Sequence, residues 1–159
     1  SGFFVSIGGY EGVLSTSTVI PSKASARKGV AIFSTRDGYT FSAALLPETL
    51  FLFSPIDALD YTFVACETVP KVTPLKLLRS VDCGIRLGSS LQLVMGQGHS
   101  KYVDHTRVVK LRVPHVVYDI DAPSEFNGSL LFVDYSPVAL HRTSLCTAGE
   151  AVGTEGRPR

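Results

Sequence analysis

Residues 118–132 read YDIDAPSEFNGSLLF. The pair Asn127-Gly128 is a strong turn signal, because both residue types tolerate the positive φ values that tight turns need. Apolar segments rich in β-prone residues lie on either side of it, at 116–120 and 129–133. Such runs bounded by turn formers are typical of strands. This part of the chain therefore predicts a strand, a loop and a second strand.

The rest of the chain repeats this alternation of short apolar segments and turn formers. Val, Ile and Thr account for 36 of the 159 residues, alongside 14 Gly and 9 Pro. Stiff β-branched side chains favour strands, so the composition predicts an all-β protein with little helix. The expected strands are 2–7, 13–20, 30–34, 39–45, 61–66, 84–87, 90–95, 107–113, 116–120, 129–133 and 137–141.

The chain divides into two strand-rich halves. The segment between them carries Pro70 and Pro74, and proline disfavours a continuous strand. We interpret 1–67 as an N-terminal barrel, 68–80 as the inter-barrel linker and 81–159 as a C-terminal barrel of one domain. Two all-β lobes joined in this way favour a pair of small barrels or a sandwich.

Charge and hydropathy exclude several classes of protein. The formal net charge is only +1, whereas nucleic-acid-binding domains usually carry a basic excess. No apolar run approaches the roughly 18–20 residues that span a bilayer. With 45% hydrophobic and 18% charged residues, the chain is not expected to be disordered. We expect neither a nucleic-acid partner nor a membrane.

The cysteines indicate no metal site. Cys66, Cys83 and Cys146 form no CxxC pair, and the four histidines lie at no zinc-ligand spacing from them. We therefore expect no metal and no cofactor. The odd cysteine count, together with the lack of an initiator Met and of a signal-peptide pattern, favours an intracellular domain of a longer protein.

Two N-terminal motifs resemble a known family. GFFV at 2–5 and VLSTSTVI at 13–20 are similar to the GxGFFV and LTNxHVI motifs of the trypsin-like serine peptidases, in particular the glutamyl-endopeptidase and HtrA-like branch. In that family the His before Val is the general base, and this chain has Thr18 there. ALDYTFVA at 58–65 resembles the motif whose Asp orients the His, and Asp60 retains that position.

The C-terminal half continues the resemblance. YDIDAPSEFNGSLLF is similar to the Y-x-x-D-T-x-P-G-x-S-G-S-P-V-F motif that carries the nucleophilic Ser, and here the Ser position is Asn127. Glu125 replaces the Gly whose N–H helps to form the oxyanion hole. VALH at 138–141 and GTEG at 153–156 resemble the family's following V-A-L-H and N-E-G segments.

The resemblance implies a trypsin-like double β-barrel with about six strands per barrel and a degenerate catalytic triad at Thr18, Asp60 and Asn127. A Thr hydroxyl is not a useful base near neutral pH, and an amide is not a nucleophile. Losing the nucleophile or base of such a triad costs on the order of 10⁶ in turnover. We therefore expect no catalytic residues, and we expect Asp60 to accept hydrogen bonds at the lobe interface, with Thr18 as a candidate donor.

An unorthodox active serine-type endopeptidase with a relocated base, such as His141 or His105, is the competing hypothesis. Other residues with suitable chemistry would have to take over the two lost roles. The candidate nucleophiles are Ser124, Ser129, Cys66 and Cys146, and the candidate bases are His99, His105, His115 and His141.

The sequence favours a pseudoprotease domain that serves protein–protein interaction or scaffolding within a larger protein. Its expected partner is a protein or an extended peptide, because peptides bind this kind of cleft by pairing with an edge strand. The candidate residues of the residual cleft are Gly128, Ser129 and His141. By analogy with the family, His141 indicates a preference for an acidic side chain in the bound peptide. A homo-oligomer or a purely structural spacer is the third hypothesis.

A second candidate contact region is the segment 21–29. It is expected to be a solvated loop whose basic residues are Lys23, Arg27 and Lys28.

Overall fold

The computed structural model describes residues 1–35, 37–77, 84–97, 100–112, 114–120, 126–142 and 151–155. Within them the chain is built from strands and one short helix, which confirms the predicted all-β class. The elements are β1 Phe3–Ile7, β2 Tyr10–Ser15, α1 Lys23–Arg27, β3 Val30–Ser34, β4 Thr40–Ala44, β5 Phe51–Ser54, β6 Tyr61–Ala65, β7 Leu75–Lys76, β8 Ser90–Gln97, β9 Ser100–Arg112, β10 His115–Tyr118, β11 Leu130–Val133, β12 Ser136–Arg142 and β13 Ala151–Glu155.

The N-terminal half forms a five-stranded sheet in the order β5-β6-β2-β1-β7, beside the two-stranded β3-β4 sheet. Strands β1 and β2 correspond to the expected strands 2–7 and 13–20 and form a hairpin, whose turn places Gly8 and Gly9 at positive φ. An isolated bridge between Leu45 and Cys66 connects the end of β4 to the end of β6. The expected strands 30–34 and 39–45 are present as β3 and β4, which also form a hairpin.

The C-terminal half is a closed barrel in the strand order β10-β13-β12-β11-β8-β9. Its six strands agree with the predicted number. Closure leaves this sheet without a free edge, and its interior is filled by apolar side chains from most of the strands. Members of this core include Leu91, Leu93, Met95, Val108, Val116, Tyr118, Leu131, Val138 and Ala139.

A separate apolar cluster joins the two halves. Val5, Leu14 and Phe63 from the N-terminal sheet pack with Leu130 and Leu140 from the barrel. All five side chains are buried. We call this cluster the seam, and it fixes how the two halves face each other.

Three strand predictions were wrong in their extent or existence, and one of these is β9, which begins at Ser100 rather than at residue 107. The segment 84–87 contains no strand, because Gly84 and Gly88 adopt positive φ and Arg86 closes a turn by donating its N–H to Ser89 Oγ at 2.9 Å. Strand β2 ends at Ser15 rather than at residue 20. A turn follows it, since Thr16 O accepts hydrogen bonds from the N–H groups of Val19 and Ile20 at 3.1 Å and 3.2 Å.

The chain also contains elements that we did not predict. The expected basic loop at 21–29 contains helix α1, which Ser22 caps by accepting the Ser25 N–H at 3.1 Å and which buries Ala26. Strand β7 lies inside the segment predicted as the linker and pairs in parallel with β1. Strand β13 pairs with both β10 and β12 and so completes the barrel.

Gly12 provides a test of how tightly the N-terminal sheet is packed. A Cβ atom at this position would overlap the carbonyl oxygen of Val64 on β6. Forcing extra atoms into a packed interior costs about 1–3 kcal/mol. We expect Gly12→Ala to lower the free energy of unfolding by about that amount, measured by urea denaturation.

The control is Gly96→Ala, since an added Cβ meets no atom within 4 Å there. It should change the free energy of unfolding by no more than about 0.5 kcal/mol. Equal effects of the two substitutions would contradict the assignment of close packing at Gly12.

Candidate functional site

Asp60 lies buried where the loop after β5 enters β6. The loop is closed by the Asp60 N–H, which donates to Pro55 O at 3.0 Å, and by the Leu59 N–H, which donates to Ser54 Oγ at 3.0 Å. Asp60 itself has φ 53°, a left-handed conformation that Asp tolerates better than most residues. The local turn therefore aims the carboxylate into the interior, where the residue is 1% exposed.

Ser17 is the hydrogen-bond partner of Asp60. Its N–H and its Oγ donate to Asp60 Oδ1 at 3.0 Å and 2.6 Å. The neighbouring Thr18 is exposed, and its hydroxyl lies 3.0 Å from Thr16 Oγ1. The expectation that Thr18 would donate to the carboxylate was wrong, because the turn after β2 directs the side chain of Ser17 inward instead.

Arg142 is a charged residue of the site that sequence reasoning missed. It ends β12, is only 3% exposed, and donates from Nη1 to Ile56 O at 3.2 Å, which links the barrel to the loop that carries Asp60. Burial lowers the pKa of the guanidinium, and the Asp60 carboxylate acts in the opposite direction. Asp60 Oδ2 and Arg142 Nε are both buried without a hydrogen-bond partner among the described residues.

The turn at Asn127-Gly128 brings the last triad position to β12. Gly128 has φ 85°, and its N–H donates to His141 O at 2.9 Å. The His141 N–H in turn donates to Ser129 O at 2.7 Å. A side chain at Gly128 would overlap Ser1 O and Ser15 Oγ, so the predicted Asn-Gly turn is present and has room for glycine alone. The carbonyl of Asn127 accepts a hydrogen bond from the Ser1 ammonium at 3.1 Å.

His141 is sealed in the barrel. It is 0% exposed, and its Nδ1 forms a hydrogen bond with the hydroxyl of Tyr118, which is also 0% exposed. Burial lowers the pKa of His141 to about 4, so the imidazole is neutral at pH 7. Its Nε2 and the buried Ser129 Oγ have no hydrogen-bond partner in the part of the chain that the structure describes.

These contacts connect the sequence-predicted positions into one site. Thr18 is adjacent to Ser17, which donates to Asp60, and the Asp60 charge acts on the pKa of Arg142. Residue 142 follows His141, whose backbone holds the turn of Asn127 and Gly128. Glu125 lies outside the described residues.

The alternative nucleophiles and bases are placed as follows. Burial and the nearby Glu11 and Glu67 raise the pKa of Cys66 to about 11, so its thiol stays protonated at neutral pH. His105 is exposed on β9, and burial followed by the charge of Arg142 lowers the pKa of His115. Ser124, Cys146 and His99 lie outside the described residues.

Among the described residues, no three His, Cys, Asp or Glu side chains are placed to hold a metal ion. No helix within those residues has the length and apolarity to cross a bilayer.

Solved structures with the same fold define its class. The chain matches the serine protease of a human pathogenic astrovirus with a TM-score of 0.62 and 15% identity, covering 99% of this chain and 82% of that one. It matches Deg5 with a TM-score of 0.70 and 18% identity over 96% and 76% of the two chains. The chain therefore has the all-β fold of the trypsin-like serine proteases.

Human heparin binding protein is similar at a TM-score of 0.70 and 13% identity, over 97% of this chain and 79% of that one. No protein-family model and no curated protein sequence matches the chain. The likeness is thus one of structure. At such low sequence identity it does not assign a role to any residue of the site.

The Asp60 and Arg142 charges are expected to stabilise each other. Removing either buried charge leaves the other with less compensation, which is destabilising. Asp60→Asn and Arg142→Leu should each lower the free energy of unfolding. The double variant should lose clearly less than the sum of the two, as measured in a double-mutant cycle by urea denaturation.

Arg112→Leu, at an exposed position of β9, is the matched control and should show no coupling to Asp60→Asn. Additivity of Asp60→Asn and Arg142→Leu to within about 0.5 kcal/mol would refute the interaction.

His141 should make folding stability depend on pH. The folded state holds the imidazole neutral down to about pH 4, whereas the unfolded chain takes up a proton near the ordinary pKa of 6.5. The unfolded state therefore binds more protons as pH falls from about 6.5 to about 4, and stability decreases over that window. The slope from this group approaches about 1.4 kcal/mol per pH unit and levels off below the folded pKa.

The measurement is the free energy of unfolding at several pH values for the native chain and for His141→Gln, which keeps an acceptor for Tyr118. The difference between them should shrink towards low pH. His105→Gln, which replaces an exposed imidazole, should preserve the native slope. An unchanged pH dependence in His141→Gln would contradict the prediction.

Proposed function

We propose that this chain is a catalytically inactive domain of the trypsin-like protease fold, a pseudoprotease that acts as a protein-interaction or scaffolding module. The observation that carries the proposal is the occupancy of the three triad positions. A Thr and an Asn stand where a base and a nucleophile are needed, and the retained Asp60 is bonded to Ser17 beside Arg142.

The chemistry of these groups supports inactivity. In a working triad the carboxylate holds an imidazole in the tautomer and orientation that accept the nucleophile's proton. Here Asp60 Oδ1 is occupied by a serine hydroxyl and a backbone N–H, and the neighbouring cation is a guanidinium. A guanidinium stays protonated throughout the physiological range and accepts no proton. This arrangement therefore provides no route for proton transfer.

The buried His141 does not replace the lost base in the proposed function. Its one described side-chain partner is a phenol, and both rings are sealed from solvent. A pKa of about 4 makes it a weak base at the pH at which general bases act best. The hydroxyl of Ser129 is equally buried, so a peptide bond could reach it only after the barrel had opened.

An interaction role agrees with how this fold can be used. One of the similar structures, human heparin binding protein, is named for binding, which requires no bond cleavage. A fold hosts unrelated functions through the residues of its surface. For this chain we infer a protein or extended-peptide partner, since open strand edges can bind such ligands by main-chain pairing.

A covalent probe tests the proposal directly. The native chain, incubated with a serine-reactive fluorophosphonate and separately with denatured casein, should give no labelling and no cleavage above a heat-unfolded control. This is expected because the amide of Asn127 is not a nucleophile and the hydroxyl of Thr18 is not a useful base near neutral pH. Labelling or turnover that Ser129→Ala or His141→Ala abolishes would overturn the proposal in favour of a relocated active site.

The matched gain-of-function variant combines Thr18→His, Asn127→Ser and Glu125→Gly. It should label detectably with the same probe if the framework around the triad is retained. Labelling of this variant, set against an unlabelled native chain, would assign the loss of chemistry to those three positions.

A further inference from the structure

A groove of about 510 Å³ lies between the two halves of the molecule. It is lined by the start of β1, the end of β3, the segment 71–75 and the β8-β9 hairpin, and neither Thr18 nor Asp60 belongs to its lining. Its volume falls in the range of ligand-binding clefts. We call it the Phe3 groove, after one of the β1 residues that line it.

The floor of the Phe3 groove is apolar. Phe3, Phe33, Val72 and Met95 all line it. Phe33 packs edge-on against Phe4 with ring centroids 5.4 Å apart, so this wall is anchored to the N-terminal core.

The rim of the Phe3 groove continues the apolar surface into solvent. Ile32, which also lines the groove, is 67% exposed. Surface of this kind is stabilised when an apolar ligand covers it.

Two strand edges face the Phe3 groove. In the described part of the chain, β7 pairs with β1 from Val5 onward, so the main chain at Phe3 and Phe4 has no strand beside it on that edge. Among the described strands, β3 pairs only with β4, and its residues 32–34 line the groove. Unpaired N–H and C=O groups on strand edges are templates for an added strand.

The charge of the Phe3 groove is positive. Lys71 and Lys101 line it, and none of its described lining residues is Asp or Glu. Lys101 Nζ donates to Ser34 O at 2.9 Å, a contact that leaves its charge uncompensated. Neither lysine forms an ion pair within the described residues. The groove is therefore complementary to an anionic ligand.

We propose that the Phe3 groove binds an extended segment of a partner protein in which acidic and apolar side chains alternate. Successive side chains of a strand point to opposite sides, so the apolar ones would enter the floor while the acidic ones face Lys71 and Lys101. Main-chain hydrogen bonds between the peptide and β1 or β3 supply the part of the affinity that does not depend on the peptide's sequence. The proposal rests on the proposed function, in which the domain binds its partner without cleaving it.

The probe is a terminally blocked octapeptide in which Glu alternates with Val and Phe, labelled with an uncharged dye and followed by fluorescence anisotropy. The native chain should bind it with a micromolar Kd, and should bind the matching peptide with Lys in place of Glu about tenfold more weakly or worse. Replacing Val and Phe by Ser should also abolish binding. Equal affinity for the Glu and Lys peptides would overturn the proposal.

Two independent variants locate the binding. Lys71→Glu with Lys101→Glu reverses the charge of the groove, and its control is Arg107→Glu with Lys110→Glu, which reverses two positive charges at exposed sites outside it. Gly96→Trp fills the groove at a position where a Cβ meets no atom within 4 Å, and Leu87→Trp is its exposed control. Both groove variants should weaken binding about tenfold, and both controls should bind as the native chain does.

The outcomes separate the two proposals. Binding could depend on the lysines and yet be insensitive to Gly96→Trp and to loss of the apolar residues of the peptide. That result would indicate a surface that binds polyanions non-specifically, and it would overturn the groove assignment. An intact peptide that does not bind overturns the groove assignment alone. Cleavage of the peptide, detected by mass spectrometry, overturns the proposed function itself.

Discussion

The arrangement of the site depends on the apolar contact at the seam. Val5, Leu14 and Phe63 pack there against Leu130 and Leu140, and each fully buried side chain of this kind contributes about 1.5–3 kcal/mol. The last two face each other across the β11-β12 ladder. This one cluster therefore fixes four strands around the site. They are β2, which leads to Ser17, β6, which follows Asp60, and β11 and β12, which hold the backbone contacts of His141.

The packing of the two halves also buries polar side chains, and each of these needs a partner. A buried carboxylate is costly unless it is hydrogen-bonded or faces an opposite charge. Asp60 meets both conditions through Ser17 and the nearby Arg142. The guanidinium in turn reaches Ile56 O in the opposite half. In the proposed function, the Asp60 carboxylate orients no histidine. Its role is to stabilise the contact between the two halves electrostatically.

Much of the fold could be predicted from local sequence, because strands and tight turns are encoded by alternation and by residues such as the Gly8-Gly9 pair. Helix α1 was missed since five residues give little periodicity, and its stability comes from the Ser22 cap and the burial of Ala26. Strand β13 was missed because its partners, β10 and β12, are distant in the chain. Barrel closure is a non-local constraint that a single segment does not reveal.

In the site, as in the fold, local sequence indicates some residues, and others depend on contacts that are distant in the chain. Thr18, Asp60 and Asn127 could be proposed from sequence because short motifs surround each of them. The glycine after Asn127 is required by its φ and by the space around it. Ser17 and Arg142 carry no such signal. An arginine at a strand end is usually exposed, and only the packing of the barrel against the Asp60 loop buries this one. A short motif thus locates a candidate position, whereas the groups that stabilise the site are visible only in three dimensions.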